Sequence, residues 1–363
     1  GVLQHRRQAT AGGAGLAQIL ALLSLLKKLM LKELGSISSV RFNNFLFCTL
    51  FIMAAGMGSG QPKAAFWSTL FFQLILIAPL LVTFSIDTQH RLHAERLATW
   101  PLTGTQRLWL SSVSFALNPF FIVLFLGYLF WMDLAAGLFF VLLALIVHMT
   151  VYAVGRLPFK LRIHASLGVS WTPLKIGGIA QEMWRELQGT LDFWAALLIA
   201  VIGTCYRLFG RPPEPEAFPI LSLSVGLAMS TIAQRMLRLD EGRALLRYRL
   251  LPIAGWKLLV TQDMTFLIPL AVMVSLLSLR TGVAFGLVAI AVGRYPSLRQ
   301  RANQRRWRFV GGDPRFGAAQ IVLGGLAGIG AARTGLWVLA VAFAIYLVSI
   351  LWGEMLWKRS LAA

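Results

Sequence analysis

The chain has 363 residues, of which 57% are hydrophobic and only 13% are charged. Ordinary soluble domains carry about 25% charged residues, so this composition excludes a soluble globular protein. The mean hydropathy of +0.71 points the same way. The net charge is +20, which in a soluble protein would suggest nucleic acid. Cytoplasmic loops of helical membrane proteins collect the same charges, so we expect a membrane protein surrounded by lipids, with no nucleic-acid partner.

The first predicted element is a helix lying in the membrane interface. Apolar residues of segment 16–34 recur at helical spacing on one face, and lysines lie on the opposite face. This pattern is typical of an interfacial amphipathic helix. The alternative, a first transmembrane helix, would have to bury three lysines. Lys27 and Lys28 also interrupt the first long apolar stretch, so no cleavable signal sequence is expected.

Ten apolar stretches follow, and each is predicted to be a transmembrane helix. They lack the alternating pattern of β-barrel strands, so the expected fold class is all-α, a polytopic helical membrane protein. In chain order they are residues 45–57, 64–84, 109–131, 134–155, 191–206, 217–233, 258–277, 281–293, 317–331 and 335–353. Segments 281–293 and 317–331 are short enough to be re-entrant instead.

The basic residues predict the orientation of these spans. The alternating loops place 29 of the 34 Lys and Arg residues on one side of the membrane, with the loop 294–316 counted on that side. The positive-inside rule makes this side cytoplasmic, and both termini lie there. The five on the other side are Lys63, Arg207, Arg211, Arg280 and Arg333.

An internal repeat is predicted from matches that recur in the same order. They are AVGRLP at 153–158 and AVGRYP at 291–296, the loop stretches 96–102 and 247–253, the mid-span prolines Pro119 and Pro269, and the interfacial-helix starts at 15–18 and 178–181. Four spans per half make the repeat parallel, with two extra C-terminal helices. The predicted organisation is therefore 1–42 (cytoplasmic and interfacial), 43–174 (first half), 175–316 (second half with its own interfacial helix) and 317–363. The interval from Pro269 to Gly293 in the second half is twelve residues shorter than the interval from Pro119 to Gly155 in the first half.

Polar groups and prolines inside the predicted spans are candidate functional residues. Pro119 and Pro269 are expected to kink their helices and shape a cavity, and Asn118 is expected to hydrogen-bond between helices. Asp263 and His148 are intramembrane ionisable groups and hence functional candidates. For Asp263 we favour a pairing with Lys257 or a neighbouring loop arginine over a substrate site. For His148 we favour a role as a donor in helix packing.

No motif predicts an enzyme in this chain. GxxxxGK[ST], HExxH and GxSxG are absent from the sequence, so any ATP would be hydrolysed by a separate subunit. The run Asp87, His90, His93 and Glu95 has residue types that bind metals, but its spacing drifts around a helix. We therefore expect no metal site.

The loop after the second predicted span, ERLATWPLT at 95–103, resembles the cytoplasmic loop of type-two ATP-binding-cassette exporter permeases. Segment 243–257 is similar to a second copy. In that family the loop forms a coupling helix that sits in a groove of the ATPase subunit. The resemblance implies coupling roles for Glu95, Arg96, Pro101, Arg107, Arg247, Arg249, Pro252 and Lys257.

This resemblance implies a permease subunit, expected to be an exporter, that works with a cytoplasmic ATPase holding ATP and magnesium. No cofactor is expected in this chain, and the location implied is a bacterial-type inner (plasma) membrane. Two alternatives stay open: an ATP-independent carrier or channel using Asp263, and a non-transporting membrane scaffold. Family members usually have six spans per half. The assembly is therefore also open, between one chain serving both ATPase subunits and a homodimer.

Overall fold

The all-α prediction is confirmed in a computed structural model, in which every described element is a helix and none is a strand. The structure describes residues 103–131, 133–156, 178–209, 215–238, 254–299 and 309–362, together with 20, 21, 24, 28, 44, 45, 70, 73–75 and 77–85. In chain order the helices are α1 (Gly104–Ala116), α2 (Pro119–Trp131), α3 (Leu134–Arg156), α4 (Ile179–Gln188), α5 (Leu191–Phe209), α6 (Ala217–Ala233), α7 (Gly255–Ser275), α8 (Leu279–Arg299), α9 (Pro314–Ala319), α10 (Gly325–Thr334) and α11 (Leu336–Ala362). A π-helical turn, Gln320–Gly324, joins α9 to α10. Residues 77–85 are also helical.

Six helical stretches are long and apolar enough to cross a membrane. They are α3, α5, α7, α8, the continuous run from α9 through α10, and α11. Each corresponds to one of the ten predicted spans. Helix α6 coincides with predicted span 217–233, but it is shorter than these six. The protein is therefore a multi-pass helical membrane protein.

The chain divides into two compact units. The first comprises Gly1–Val40 and Ala54–Leu167, and the second comprises Arg41–Met53 and Gly168–Ala363. In the first unit, α2 and α3 form a hairpin and α1 contacts both. A series of aromatic rings runs through its interior, from His148 through Phe115, Phe121 and Phe140 to Tyr128, with centroids 4.7 to 5.3 Å apart.

Helix α8 is the central element of the second unit. It packs against α6, α7, α10 and α11, and it is the most buried of the six spanning stretches. Phe285 on α8 is fully buried between two glycines, since a Cβ on Gly226 or Gly324 would lie 2.6 or 2.8 Å from its ring. These glycines let α6 and the π turn approach α8 closely.

The second predicted interfacial helix is α4, which begins at Ile179 after Gly178 in a left-handed backbone conformation (φ +81°). Its buried residues Met183 and Leu187 lie on one face, as expected for an amphipathic helix. Met183 packs in a cluster with Leu258 and Leu259 of α7, Trp357 of α11 and Leu237. Of the first interfacial helix, the four described residues, 20, 21, 24 and 28, are helical and exposed.

Two predicted spans that could have been re-entrant form longer helices. Span 281–293 lies within the 21 residues of α8, and 317–331 lies within a run of 21 residues from α9 to α10. The predicted end of the first at Gly293 was wrong because α8 continues through Pro296 to Arg299. A proline near the end of a helix removes only one backbone hydrogen bond. Arg294 therefore belongs to the helix and is not the first residue of a loop.

The predicted span 109–131 is broken. Helix α1 ends at Ala116, α2 begins at Pro119, and the two axes differ by 63°. Asn118 lies at the break, and its carbonyl oxygen accepts from the amide of Ile122 in the first turn of α2. The expected mid-span kink at Pro119 is thus a helix start.

Candidate functional site

Asp263 lies on α7, eight residues after the helix begins at Gly255. Eight residues of α-helix correspond to about 12 Å along the axis. The N-terminal end of α7 follows directly on the loop that carries Pro252, which lies outside the described residues. Asp263 is almost fully buried.

Arg294 of α8 forms a bidentate ion pair with Asp263. Its Nη1 donates to Oδ1 at 3.0 Å and its Nη2 donates to Oδ2 at 2.7 Å. The Arg294 and Asp263 side chains are only 3% and 2% exposed. Parallel bonds between a guanidinium and a carboxylate are among the strongest that side chains make, and they fix the relative orientation of the two groups.

Tyr346 brings a third helix, α11, to the same carboxylate. Its hydroxyl donates to Oδ2 of Asp263 at 3.0 Å, and the Arg294 guanidinium lies 6.0 Å from the centre of its ring. One carboxylate thus accepts three hydrogen bonds from two other helices. We call Asp263, Arg294 and Tyr346 the three-helix cluster.

The opposite charges of Asp263 and Arg294 cancel, so these two residues add no net charge to the three-helix cluster. A buried charge in a membrane protein is tolerated when it is paired and hydrogen-bonded. Of the Asp263 partners favoured from the sequence, Lys257 is exposed and lies over the ring of Trp256. Arg294 fills the role assigned to a loop arginine, although it lies in a helix. Two buried atoms nearby, Arg294 Nε and Gln262 Oε1, have no hydrogen-bond partner in the described part of the chain.

His148 lies on α3 in the first unit and is held by two serines. Its Nδ1 is 2.9 Å from the Ser85 hydroxyl and its Nε2 is 3.2 Å from the Ser111 hydroxyl on α1. Phe115 stacks on the imidazole. A hydroxyl can donate or accept, so the two serines accommodate either tautomer. His148 therefore connects α1 to α3, as expected of a packing residue.

Helices α1 and α7 follow the two predicted coupling loops, and each has specific contacts at its first residues. Thr103 caps α1: its hydroxyl accepts from the Gln106 amide at 3.3 Å, and the Gln106 side chain accepts from the Thr103 amide at 2.9 Å. This reciprocal pair is a capping box. At the start of α7, a Cβ on Gly255 would lie 2.6 Å from the Trp357 ring, so α11 covers that end closely.

The remaining predicted site residues are only partly described. Arg107 lies in the first turn of α1; the residue is partly buried, and its buried Nε has no hydrogen-bond partner in the described ranges. Pro269 lies buried inside the continuous helix α7, and Asn118 is buried at the break before α2. Glu95, Arg96, Pro101, Arg247, Arg249 and Pro252 lie outside the described residues, as do Asp87, His90 and His93.

Sequence reasoning missed a second polar cluster, around Gln320 in the π turn. Its side-chain nitrogen donates to the backbone oxygens of Ser230 at 3.0 Å and Ala289 at 2.8 Å. Its side-chain oxygen accepts from Asn44 at 3.2 Å and from Gln234 at 2.7 Å. The available signal was a glutamine within an apolar run, since amides inside a membrane usually bond between helices.

The chemistry of these sites is that of bonding between helices. Within the described ranges, no three His, Cys, Asp or Glu residues are grouped so that they could hold a metal ion. The three-helix cluster and the His148 contacts each connect a helix that follows a predicted coupling loop to the rest of its unit. No protein-family model, no curated protein and no solved structure matches this chain.

Proposed function

We propose that this chain is the membrane-spanning subunit of an ATP-binding-cassette transporter, most consistent with an exporter. ATP and magnesium would be held by a separate cytoplasmic ATPase, and this chain would not itself be an enzyme. The loop sequences around Pro101 and Pro252 support the proposal through their resemblance to coupling loops. The structural observation that carries it is the three-helix cluster, which connects the helix after the Pro252 loop to two other spans.

A displacement of the Pro252 loop would reach several helices together. The first two turns of α7 pack through Leu258 and Leu259 against Met183 of α4 and Trp357 of α11. About 12 Å from the start of α7, Asp263 is bonded to α8 and α11. Close-packed, hydrogen-bonded helices move as bodies rather than deforming gradually. A push from an ATPase on this loop would therefore move α7, α8 and α11 together.

The first unit offers a comparable path from the Pro101 loop. The capping box at Thr103 fixes the start of α1, and Ser111 two turns later bonds to His148 of α3. This shared arrangement supports the proposed parallel repeat of four spans, 43–174 and 175–316, with ten spans in all. We place both termini in the cytoplasm and the protein in a bacterial-type inner membrane, so that both loops would face an ATPase. One chain could then serve two ATPase subunits. The other arrangement is a homodimer.

Contacts at the opposite end of the second unit fit this orientation. Arg207, near the C-terminus of α5, donates to the backbone oxygens of Leu276 and Leu277 at the end of α7. Its guanidinium also lies 5.0 Å from the Phe218 ring at the start of α6. A cation at a helix C-terminus is electrostatically favourable. These three helix ends would therefore share the outer face.

The test is purification in mild detergent from the native membrane, with mass spectrometry of the proteins that copurify. We expect a stoichiometric ATPase bearing a phosphate-binding loop. Charge reversal at Arg247 and Arg249 combined with Pro252→Gly should abolish its copurification. The matched control is charge reversal at Arg280 and Arg333, exposed residues expected on the outer face, which should leave it unchanged. Retention of the ATPase in the loop variant would contradict the coupling role.

A second variant separates docking from transmission. Asp263→Leu combined with Arg294→Met removes both charges, so the ATPase should still bind but cargo-stimulated ATP hydrolysis should fall. The two alternatives make different predictions. A secondary carrier would come out without an ATPase, with gradient-driven transport that fails in Asp263→Asn, and a scaffold would form a stable complex without stimulated activity.

A further inference from the structure

The π turn Gln320–Gly324 interrupts an otherwise α-helical run between α9 and α10. A π turn accommodates one more residue than an α turn, and such turns are rare and occur frequently at functional sites. In this chain the turn is held at both of its ends: its first residue, Gln320, is held by polar contacts, and its last residue, Gly324, and the following Gly328 make close contacts with neighbouring helices. These two sets of contacts determine which residues of α10 face the rest of the unit.

The upstream end is fixed through Gln320. Its side chain makes four hydrogen bonds, two to backbone oxygens and two to the amides of Asn44 and Gln234. Gln234 also accepts from the backbone amide of Asp313 at 2.8 Å, which ties the start of α9 to the end of α6. The position of Gln320 is therefore set by α6, α8, Gln234 and Asn44.

The downstream end is fixed by close glycine contacts. A Cβ on Gly324 would lie 2.8 Å from the Phe285 ring on α8, and a Cβ on Gly328 would collide with Leu223 on α6. Gly324 and Gly328 are spaced as GxxxG, and both glycines pack inside the second unit. A larger side chain at either position requires the Phe285 or Leu223 side chain to shift or α10 to separate from α6 and α8.

The π turn is what brings these glycines to those positions. If the turn became α-helical with Gln320 held in place, each contact would be reached one residue earlier in the sequence. Leu323 would then face Phe285, and Ala327 would face Leu223. A bare Cβ already collides at both positions, and outward movement of α10 relieves both collisions together.

We propose that the π turn is a register switch that closes and opens the packing of α10 against α6 and α8. In the closed state the turn is π-helical and Gly324 and Gly328 are in contact with their partners. In the open state the turn is α-helical and α10 has moved outward. The Gln320 hydrogen bonds favour the closed state, so movement of α6 or of Asp313 would release it. This inference does not depend on transport or on an ATPase.

The experiment measures the distance between spin labels on α10 and α6 in the full chain, reconstituted in lipid nanodiscs. Exposed positions Leu326 and Ile220 carry the labels, in a background where Cys48 and Cys205 are replaced by serine. Gln320→Leu removes the upstream hydrogen bonds, and it should lengthen the mean distance by about 2 Å, the range over which side-chain size changes helix separation. Gln320→Asn, whose shorter side chain cannot reach both backbone oxygens, serves if Gln320→Leu does not fold.

A deletion supplies the decisive comparison. Deleting Val322, which is exposed within the turn, lets Gly324 and Gly328 reach their contacts in α-helical geometry. The deletion variant should give the short distance, and adding Gln320→Leu to it should no longer lengthen that distance. Val322→Ala is the matched control and should behave as the unmodified chain. An unchanged distance in folded Gln320→Leu and Gln320→Asn, or the same lengthening in the deletion background, would overturn the proposal.

Discussion

The helices that follow the two predicted coupling loops meet a proline at nearly the same place, about four turns after the start of each helix, and they respond to it differently. Pro119 follows the end of α1 and begins a new helix at 63° to the first. Pro269 is accommodated within the continuous helix α7. We attribute the difference to the preceding residue. Asn118 is a favoured N-cap and proline is favoured at the first helical position, whereas Ile268 offers no cap.

The two regions also differ in length. Helix α2 extends about 3.3 turns past Pro119, whereas α7 extends about 1.7 turns past Pro269. In the next helix, Gly155 lies about six turns after the start of α3, and Gly293 lies about four turns after the start of α8. Under the proposed repeat, the second hairpin is therefore shorter in both arms by about two turns, roughly 10 Å. When both arms of a hairpin are shortened by the same length, residues at its open end remain opposite one another. The polar contacts lie at that end.

The polar contact between α1 and α3 at His148 is neutral, whereas the contact between α7 and α8 is the Asp263–Arg294 ion pair. Removing one charge of this ion pair is the strongest test of the difference. Arg294→Met leaves Asp263 buried and unpaired, which should lower the free energy of unfolding by about 3–5 kcal/mol. Adding Asp263→Leu should recover most of that loss, because the pair is replaced by apolar side chains. Unfolding in mixed micelles followed by tryptophan fluorescence measures both values.

The matched control for this prediction is an exposed ion pair in the same unit. Lys358 lies 3.0 Å from Glu354, and its side chain is 72% exposed. Exposed pairs contribute little, so Lys358→Met should leave the unfolding transition nearly unchanged. Equal effects of Arg294→Met and Lys358→Met would mean that burial of the first pair has no energetic consequence.

The bend before Pro119 should depend on Asn118. Asn118→Ile recreates the Ile-Pro sequence of α7 and replaces a favoured N-cap residue type, so it should straighten the α1–α2 connection. Spin labels at exposed Trp109 and Phe130 should then move apart by about 4 Å, the difference between a bent and a straight helix of that length. The reciprocal change Ile268→Asn should introduce a bend in α7. If neither variant changes its distance, tertiary packing and not the cap determines the bend.

The sequence predicted the helical class and a pairing of Asp263 with Lys257 or a neighbouring loop arginine, but it did not single out Arg294. Hydropathy falls after Gly293 and Pro296 resembles a helix end, so the sequence pattern places Arg294 in a loop. The last turns of α8 pack against α7, α9, α11 and the turn around Leu237, and these tertiary contacts support its continuation to Arg299. The phenol of Tyr346 lies on a strongly apolar helix and gives no separate signal in the sequence.

The π turn could not be predicted from the sequence either. A local pattern does not distinguish an extra residue in a helix from an ordinary turn. The turn depends on contacts between residues far apart in the chain, such as Gln320 with Asn44 and Gly324 with Phe285. The break at Asn118, in contrast, could have been predicted. The Asn-Pro pair is a recognisable helix start, but it lies within an apolar run that favours one continuous span.

The neutral contact of the first unit gives the smallest expected effect. Ser111→Ala removes one hydrogen bond between α1 and α3 while Ser85 still holds the other nitrogen of His148. Hydrogen bonds between membrane helices average about 0.6 kcal/mol, so we expect a loss of that size in unfolding free energy. Ser112→Ala is the matched control, since the Ser112 hydroxyl bonds only to Leu108 of its own helix among the contacts described. An equal loss of unfolding free energy in Ser111→Ala and Arg294→Met would contradict this expectation. The first unit would then depend on its neutral contact as much as the second depends on its ion pair, and the difference in charge between the two contacts would have no effect on stability.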